Sequence, residues 1–428
     1  MMKRVKTVGR DAFSSLQIRN FRLYFIGQGL SVSGTFMQAV ALPWLVLRMT
    51  GSGTALGVVS ALQFLPILLF APLGGAIADR FPKRNLIIFT QCVFGILALT
   101  LGVLVLTDLV RLWMVYGIAF CLGLFAALDS PTRHTFISEL VGEKGLKNAI
   151  TLNSGIMNVA RIVGPTIAGI LIAEVGIASC FILNGLSYVA VIVMLFLMRK
   201  EELSVAERES GKSRYFDGLR YIFSKPDLRL IFVMVALIGT LAYEFQVSLP
   251  LLAKITFGGD ARSYAALSSA FGLGAVIGGL LFAGKKHVDR IGLVRLAAFF
   301  GASLLAVSVS PNHATAVAVM VAAGIFSIGF TSAGNTMMQL GSTPGMRGRV
   351  MAFWSMAMMG STAIGGPIVG WIGEHVGPRY GLGLGGLVTV LAASYGYLTI
   401  LRPRLGRMFP FERVPEAVTD EPDDPKRV

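Results

Sequence analysis

Twelve separate apolar blocks, with most of the basic residues placed between alternate blocks, constrain this chain more than any other feature. They lie near 21–47, 54–78, 86–107, 112–131, 148–174, 177–198, 229–253, 263–284, 292–310, 313–335, 349–374 and 380–401. Each is long enough to cross about 30 Å of hydrocarbon as a helix. A helix satisfies its own backbone in lipid, and the blocks lack the period-2 alternation of a membrane barrel. Charged residues make up only 14% of the chain, against about 25% in soluble domains. The surface of these blocks must therefore face lipid, and the fold class is an all-α integral membrane protein.

Charge then orients the chain. Lys and Arg total 38, and 32 of them fall in 1–22, 79–85, 132–147, 199–229, 285–295, 347–349 and 402–428, all on one side of a twelve-span topology. The other side holds Arg48, Arg111, Lys254, Arg262 and Arg379, and Arg161 lies inside a span. The positive-inside rule puts both termini in the cytoplasm of a cell (inner) membrane protein. This distribution, rather than a nucleic-acid partner, accounts for the net charge of +15. The basic start reads as the flank of a retained first helix, not a cleaved signal peptide. Cys92, Cys121 and Cys180 form no metal or redox motif and read as packing residues.

A single long polar stretch interrupts the interior. It divides the chain into a six-helix bundle at 1–198, a cytoplasmic linker at 199–228 with a short amphipathic helix near 214–223, and a second bundle at 229–401. The charged, Pro-containing 402–428 reads as a disordered cytoplasmic tail. The halves echo one another: Gly164-Pro165 with Gly169 in the fifth span, and Gly366-Pro367 with Gly370 in the eleventh. Each is followed by an acid, Glu174 or Glu374. The same device at equivalent positions of two halves points to duplication.

The sharpest local signal is Gly74-Gly75-Ala-Ile-Ala-Asp79-Arg80-Phe-Pro-Lys83-Arg84, a tight turn between the second and third spans. Small residues admit a neighbouring helix, and the charges can pair in one conformation and part in another. An ordinary basic loop is the competing reading. The run resembles the signature loop of the major facilitator superfamily, G-x-x-x-D-R-x-G-R-R, at Gly75, Asp79, Arg80 and Arg84, with Pro82 and Lys83 as departures. Asn20-Phe21-Arg22, Ala41-Leu42-Pro43-Trp44, Asp129-Ser-Pro131-Thr-Arg133 and Gly348-Arg349-Val350 narrow the resemblance. They match the bacterial drug and siderophore exporter branch, which includes enterobactin-exporter-like and macrolide-efflux-like proteins. That resemblance implies two pseudo-symmetric six-helix bundles and a cytoplasmic gate at Gly75, Asp79, Arg80, Lys83 and Arg84. It also implies that Gly155, Gly164, Pro165 and Gly169 are the fifth-helix joint of proton-coupled antiporters, with Ala160 and Ala168 replacing two frequent glycines. Gly366, Pro367 and Gly370 are the counterpart joint. The fourth span lacks a central arginine, and Thr35 stands where close relatives often carry an acid.

Intramembrane ionisable residues are costly and therefore functional candidates. Glu244, in the seventh span, is the first candidate for a proton carrier or cation ligand, against an outer-interface position. Arg161 and Asp129 are the further proton-coupling candidates: Arg161 needs an anionic partner or a substrate, and Asp129 closes the fourth span and is expected to join the latch. Gln28, Ser31, Thr35 and Gln38 recur on one face of the first helix, so they read as a cavity stripe or an inter-helix hydrogen-bond set. Tyr243, Phe245, Trp354, Met356, Met358 and Met359 would supply adaptable apolar contacts. Gly272-Leu-Gly274-Ala-Val-Ile-Gly278-Gly279 lies inside an apolar span and reads as helix packing rather than a dinucleotide loop. No phosphate loop, metal-ligand cluster or nucleophile–base set stands out, so neither enzyme chemistry nor a cofactor is expected.

These features read as a monomeric secondary transporter that exports lipophilic or amphipathic small molecules, drugs or siderophores, by alternating access driven by protons. A lysophospholipid flippase or nutrient importer of the same fold is the nearest alternative, and a non-transporting sensor or scaffold the next.

Overall fold

A computed structural model describes residues 14–203, 217–282 and 289–408, with the side chains of 71–73, 76, 79, 144, 344 and 402–408 outside the description. Its helices are α1 (Arg19–Thr50), α2 (Gly53–Arg80), α3 (Lys83–Leu106), α4 (Leu112–Glu143), α5 (Gly145–Glu174) and α6 (Ala178–Phe196). The second set is α7 (Pro226–Thr256), α8 (Ala261–Phe282), α9 (Arg290–Ser308), α10 (His313–Leu340), α11 and α12 (Pro378–Met408). Helix α11 joins Pro344–Ser355 and Thr362–His375 through a π-helical turn, Met356–Gly360. That turn is why only 11 described helices are individually long and apolar enough to span a membrane, where twelve are expected. The expected span is present, divided by that turn.

Helices α1–α6 pack on one another, as do α7–α12, and one apolar core runs through both sets. The short helix Asp217–Ser224 falls within the expected amphipathic stretch; the rest of that stretch before Asp217 lies outside the described residues. It docks on the start of α11, where Tyr221 Oη accepts from the Thr343 amide at 3.2 Å and Arg349 lies 3.6 Å from Asp217. Backbone helix continues to Met408, past the expected end of the last span, and 409–428 lies outside the described residues.

Two seams join the bundles at the end opposite the chain termini. In the first, α2 meets α11. A Cβ on Gly57 would stand 2.5 Å from the Gly366 carbonyl oxygen, and one on Gly370 would stand 2.2 Å from that of Gly53. Only glycine admits backbones this close. In the second seam, α5 meets α8, with Gly169 against Ala265 and the Thr166 and Ser269 hydroxyls 2.9 Å apart. Polar groups reinforce this end. Glu374 accepts from Ser52 Oγ and the Thr54 amide, both at 2.7 Å, and so caps α2 from the other bundle. Lys254 Nζ donates to the Leu47 carbonyl at 3.2 Å, and Arg262 pairs with Glu174. The repeated Gly-Pro segments and their acids thus occupy corresponding seams.

Candidate functional site

Two adjacent chambers lie between the seams and the terminal end, with Phe36, Ala39, Gln246 and Met359 in the walls of both. The first, of about 410 Å³, is lined mainly by α1 and α4. Gln28, Ser31, Thr35 and Gln38 all face it, as the spacing on α1 requires. Their polar atoms also serve packing. Gln38 Oε1 accepts from Asn184 Nδ2 at 2.6 Å, and Thr35 Oγ1 lies 3.4 Å from the Tyr188 hydroxyl. The two readings of the stripe are therefore combined in one set of residues.

At the terminal side of this chamber is a buried charge pair that the sequence reading did not anticipate. Helix α4 does not stop at Pro131; it runs on to Glu143, and one turn past Asp129 it carries Arg133 inward. Arg133 Nε donates to Asp129 Oδ2 at 2.5 Å, and Nη1 donates to Gln28 Oε1. Thr90 Oγ1 at 2.5 Å and Gln91 Nε2 at 3.3 Å donate to the other Asp129 oxygen. Asp129 is thus a buried partner of Arg133 within the first bundle rather than a helix-end charge. Arg133 counts as loop charge in the sequence but lies on the fourth helix. Its spacing of four from Asp129 was the available signal.

The second chamber, of about 450 Å³, takes walls from both bundles, including Phe36, Arg161, Tyr243, Phe245, Tyr264 and Phe271. The Arg161 guanidinium lies over the Phe36 ring, 5.8 Å from its centroid. No described carboxylate lies within 4.0 Å of it. Tyr243 Oη and Ser327 Oγ are 2.8 Å apart, and the Phe245 and Phe271 centroids are 4.5 Å apart. Met358 and Met359 line it as well.

Glu244 lies behind that wall. The seventh span is not continuous there: α7 unwinds at Ala242–Glu244 and restarts at Phe245. The residue is 2% exposed, and neither carboxylate oxygen has a hydrogen-bond partner of good geometry. It faces α11, where a Cβ on Gly365 would stand 2.9 Å from Oε1 and 1.5 Å from the Thr240 carbonyl oxygen. Thr362, adjacent to Glu244, also lines the second chamber, so one hydroxyl separates the carboxyl from the cavity. Unwound helix at membrane depth is tolerated where it is enclosed by protein or lines a cavity.

Other expectations need correction. Trp354 lines neither chamber; it packs under α10, its ring 2.8 Å from where a Gly334 Cβ would stand. Arg84 is buried and donates to the Leu195 carbonyl at 2.8 Å, tying α3 to the end of α6 within one bundle. Gly75 has open space at its Cβ position, whereas a Cβ on Gly74 would stand 2.1 Å from the Ala127 carbonyl oxygen, so Gly74 makes the close approach. Arg80 is exposed, Lys83 is half-buried, and the Asp79 side chain lies outside the described residues. In the fifth-helix joint, Gly164 packs on Phe36 of α1, Pro165 lines the second chamber, and Gly155 lines a separate apolar groove against α1.

The transmembrane secretion effector family of major facilitators matches residues 10–427. The chain belongs to that family. The enterobactin exporter EntS of Salmonella typhimurium is 25% identical over 400 residues, covering 92% of this chain and 94% of its own. The staphyloferrin A transporter of Staphylococcus aureus is 24% identical over 289 residues, 67% of this chain and 73% of its own. The fold is shared with a bacterial homologue of the iron transporter ferroportin in an inward-facing state. That structure has a TM-score of 0.69 at 17% identity, covering 89% of this chain and 98% of the other. The family and these relatives identify a multi-pass transporter of the superfamily; its members named here are transporters, not enzymes.

Proposed function

We propose that the chain is a proton-coupled exporter of amphipathic small molecules of the siderophore or drug type. The observation that carries this reading is the unwound turn of α7, which buries an unpartnered carboxyl one hydroxyl away from a chamber walled by both bundles. A group there can take a proton from the cavity and, through Gly365 and Thr362, change how α7 sits against α11. The relatives named for enterobactin and staphyloferrin A support the substrate type. Chambers of about 410 and 450 Å³ argue against a scaffold with a filled interior. The loop charges support cytoplasmic termini, which would make the sealed end extracytoplasmic and the observed state inward-facing.

The direct test is dye, drug and siderophore accumulation in an efflux-deficient bacterium with and without a protonophore. The chain is expected to lower accumulation of at least one such compound, and the protonophore to abolish the difference. Unchanged accumulation of every compound, with the protein present in the membrane, would sink export. A second test addresses alternation. Ser52→Cys with Glu374→Cys should cross-link on mild oxidation, stop export, and regain it on reduction. A cross-linked protein that still exports at the uncross-linked rate would exclude separation of this seam during transport.

A further inference from the structure

We infer that the second chamber selects an organic anion with an aromatic or comparably flat body, and that Arg161 is the counter-ion that determines this selectivity. The inference rests on the export reading and adds to it the charge of the substrate.

Charge balance inside the membrane sets Arg161 apart. Of the charged side chains lining the two chambers, Asp129 and Arg133 neutralise each other at 2.5 Å. Arg161 is left with an aromatic face and no acidic partner among the described residues. Glu244, the nearest acid in sequence to the chamber wall, is turned to Gly365 on α11 instead. A guanidinium at this depth without a partner is costly, and such a residue implies the partner it is waiting for. Guanidinium geometry favours carboxylate or another oxyanion, held by two parallel N–H donors.

The surroundings define the remainder of the ligand. Phe36, Tyr243, Phe245, Tyr264 and Phe271 line the same chamber as the cation. The Tyr243 hydroxyl is already engaged by Ser327, so that ring offers its face more than its polar tip. Gln246, Ser268 and Thr331 add uncharged hydrogen-bonding groups. Aromatic walls favour offset stacking or edge contact with a planar ligand. A cationic substrate would meet Arg161 with no described acid lining this chamber to offset it.

The test measures binding to the purified full chain in phosphatidylcholine nanodiscs by isothermal titration. The probes are 1-naphthoate and its neutral isostere 1-naphthamide. Wild type is expected to bind the acid about tenfold more tightly than the amide, the scale of one charged hydrogen-bonded contact. Arg161→Gln should remove that preference without weakening the amide, and Arg161→Lys should keep part of it. Equal affinities for acid and amide in wild type, or binding of neither, would overturn the inference whether or not Arg161→Gln folds. Displacement of naphthoate by added phosphatidylglycerol would assign Arg161 to a lipid headgroup and also overturn it. Compound export with no acid preference would remove the anion assignment and leave export intact; acid preference without export in cells would do the reverse.

Discussion

Glu244→Gln is expected to reduce protonophore-sensitive export by about tenfold or more, equivalent to about 1.4 kcal/mol in the limiting barrier, while the protein remains in the membrane at wild-type level. The substitution keeps the shape of the protonated side chain and removes its ability to change charge. Because the carboxyl has no strong hydrogen bond to lose, its replacement by an amide should disturb packing little. The break in α7 should therefore persist, with Phe245 N still bonded to the Tyr243 carbonyl at 2.8 Å. What should fail is the cycle of charging and neutralisation between α7 and α11. Glu244→Asp retains titration but draws the carboxyl back from Gly365 and Thr362, so partial activity is expected. Export by Glu244→Gln at the wild-type rate with the same protonophore sensitivity would assign coupling elsewhere.

The second large effect is on stability. Asp129→Asn and Arg133→Gln should each lower the thermal unfolding midpoint of the purified protein strongly, and the double variant should lie closer to wild type than either single. Removing one member of a buried pair costs about 3–5 kcal/mol because the other charge is left uncompensated. In Asp129→Asn, Arg133 keeps Gln28 but loses the carboxylate that neutralises it. In Arg133→Gln, Asp129 keeps donors from Thr90 and Gln91, so this loss should be the smaller of the two. Removing both charges relieves the imbalance that each single creates. Simple addition of the two single effects in the double variant would mean that the residues do not act as a pair.

The physical reasons for what the sequence disclosed are uneven. Lipid imposes length and apolarity on every span, so twelve blocks and their loop charges were readable directly. The stripe Gln28, Ser31, Thr35 and Gln38 was readable because helical period places all four on one face. Arg133 was misread because Pro131 suggests a helix end and loops of such proteins collect arginine. Only the packed structure puts Asp129, Thr90 and Gln91 where that charge can be buried. The unwinding before Phe245 has no glycine or proline at 242–244 to announce it. It accompanies the approach of Gly365 to the Thr240 carbonyl, a contact between residues far apart in the chain. Trp354 was assigned to the cavity on residue type alone, which cannot tell a wall facing the chamber from one facing the neighbouring helix.

The glycine seam between α2 and α11 has a consequence for the cell that hosts the protein. Any side chain at Gly53, Gly57 or Gly370 must displace a carbonyl that already lies within 2.5 Å of the added carbon. The bundles would then be propped apart by roughly the thickness of a methyl group, and water would file through the gap into the chambers. A membrane that stores its energy as an ion gradient discharges through such a passage even when no substrate is present. Substitution at these glycines is therefore expected to register as slowed growth and a fallen membrane voltage, even with no substrate present.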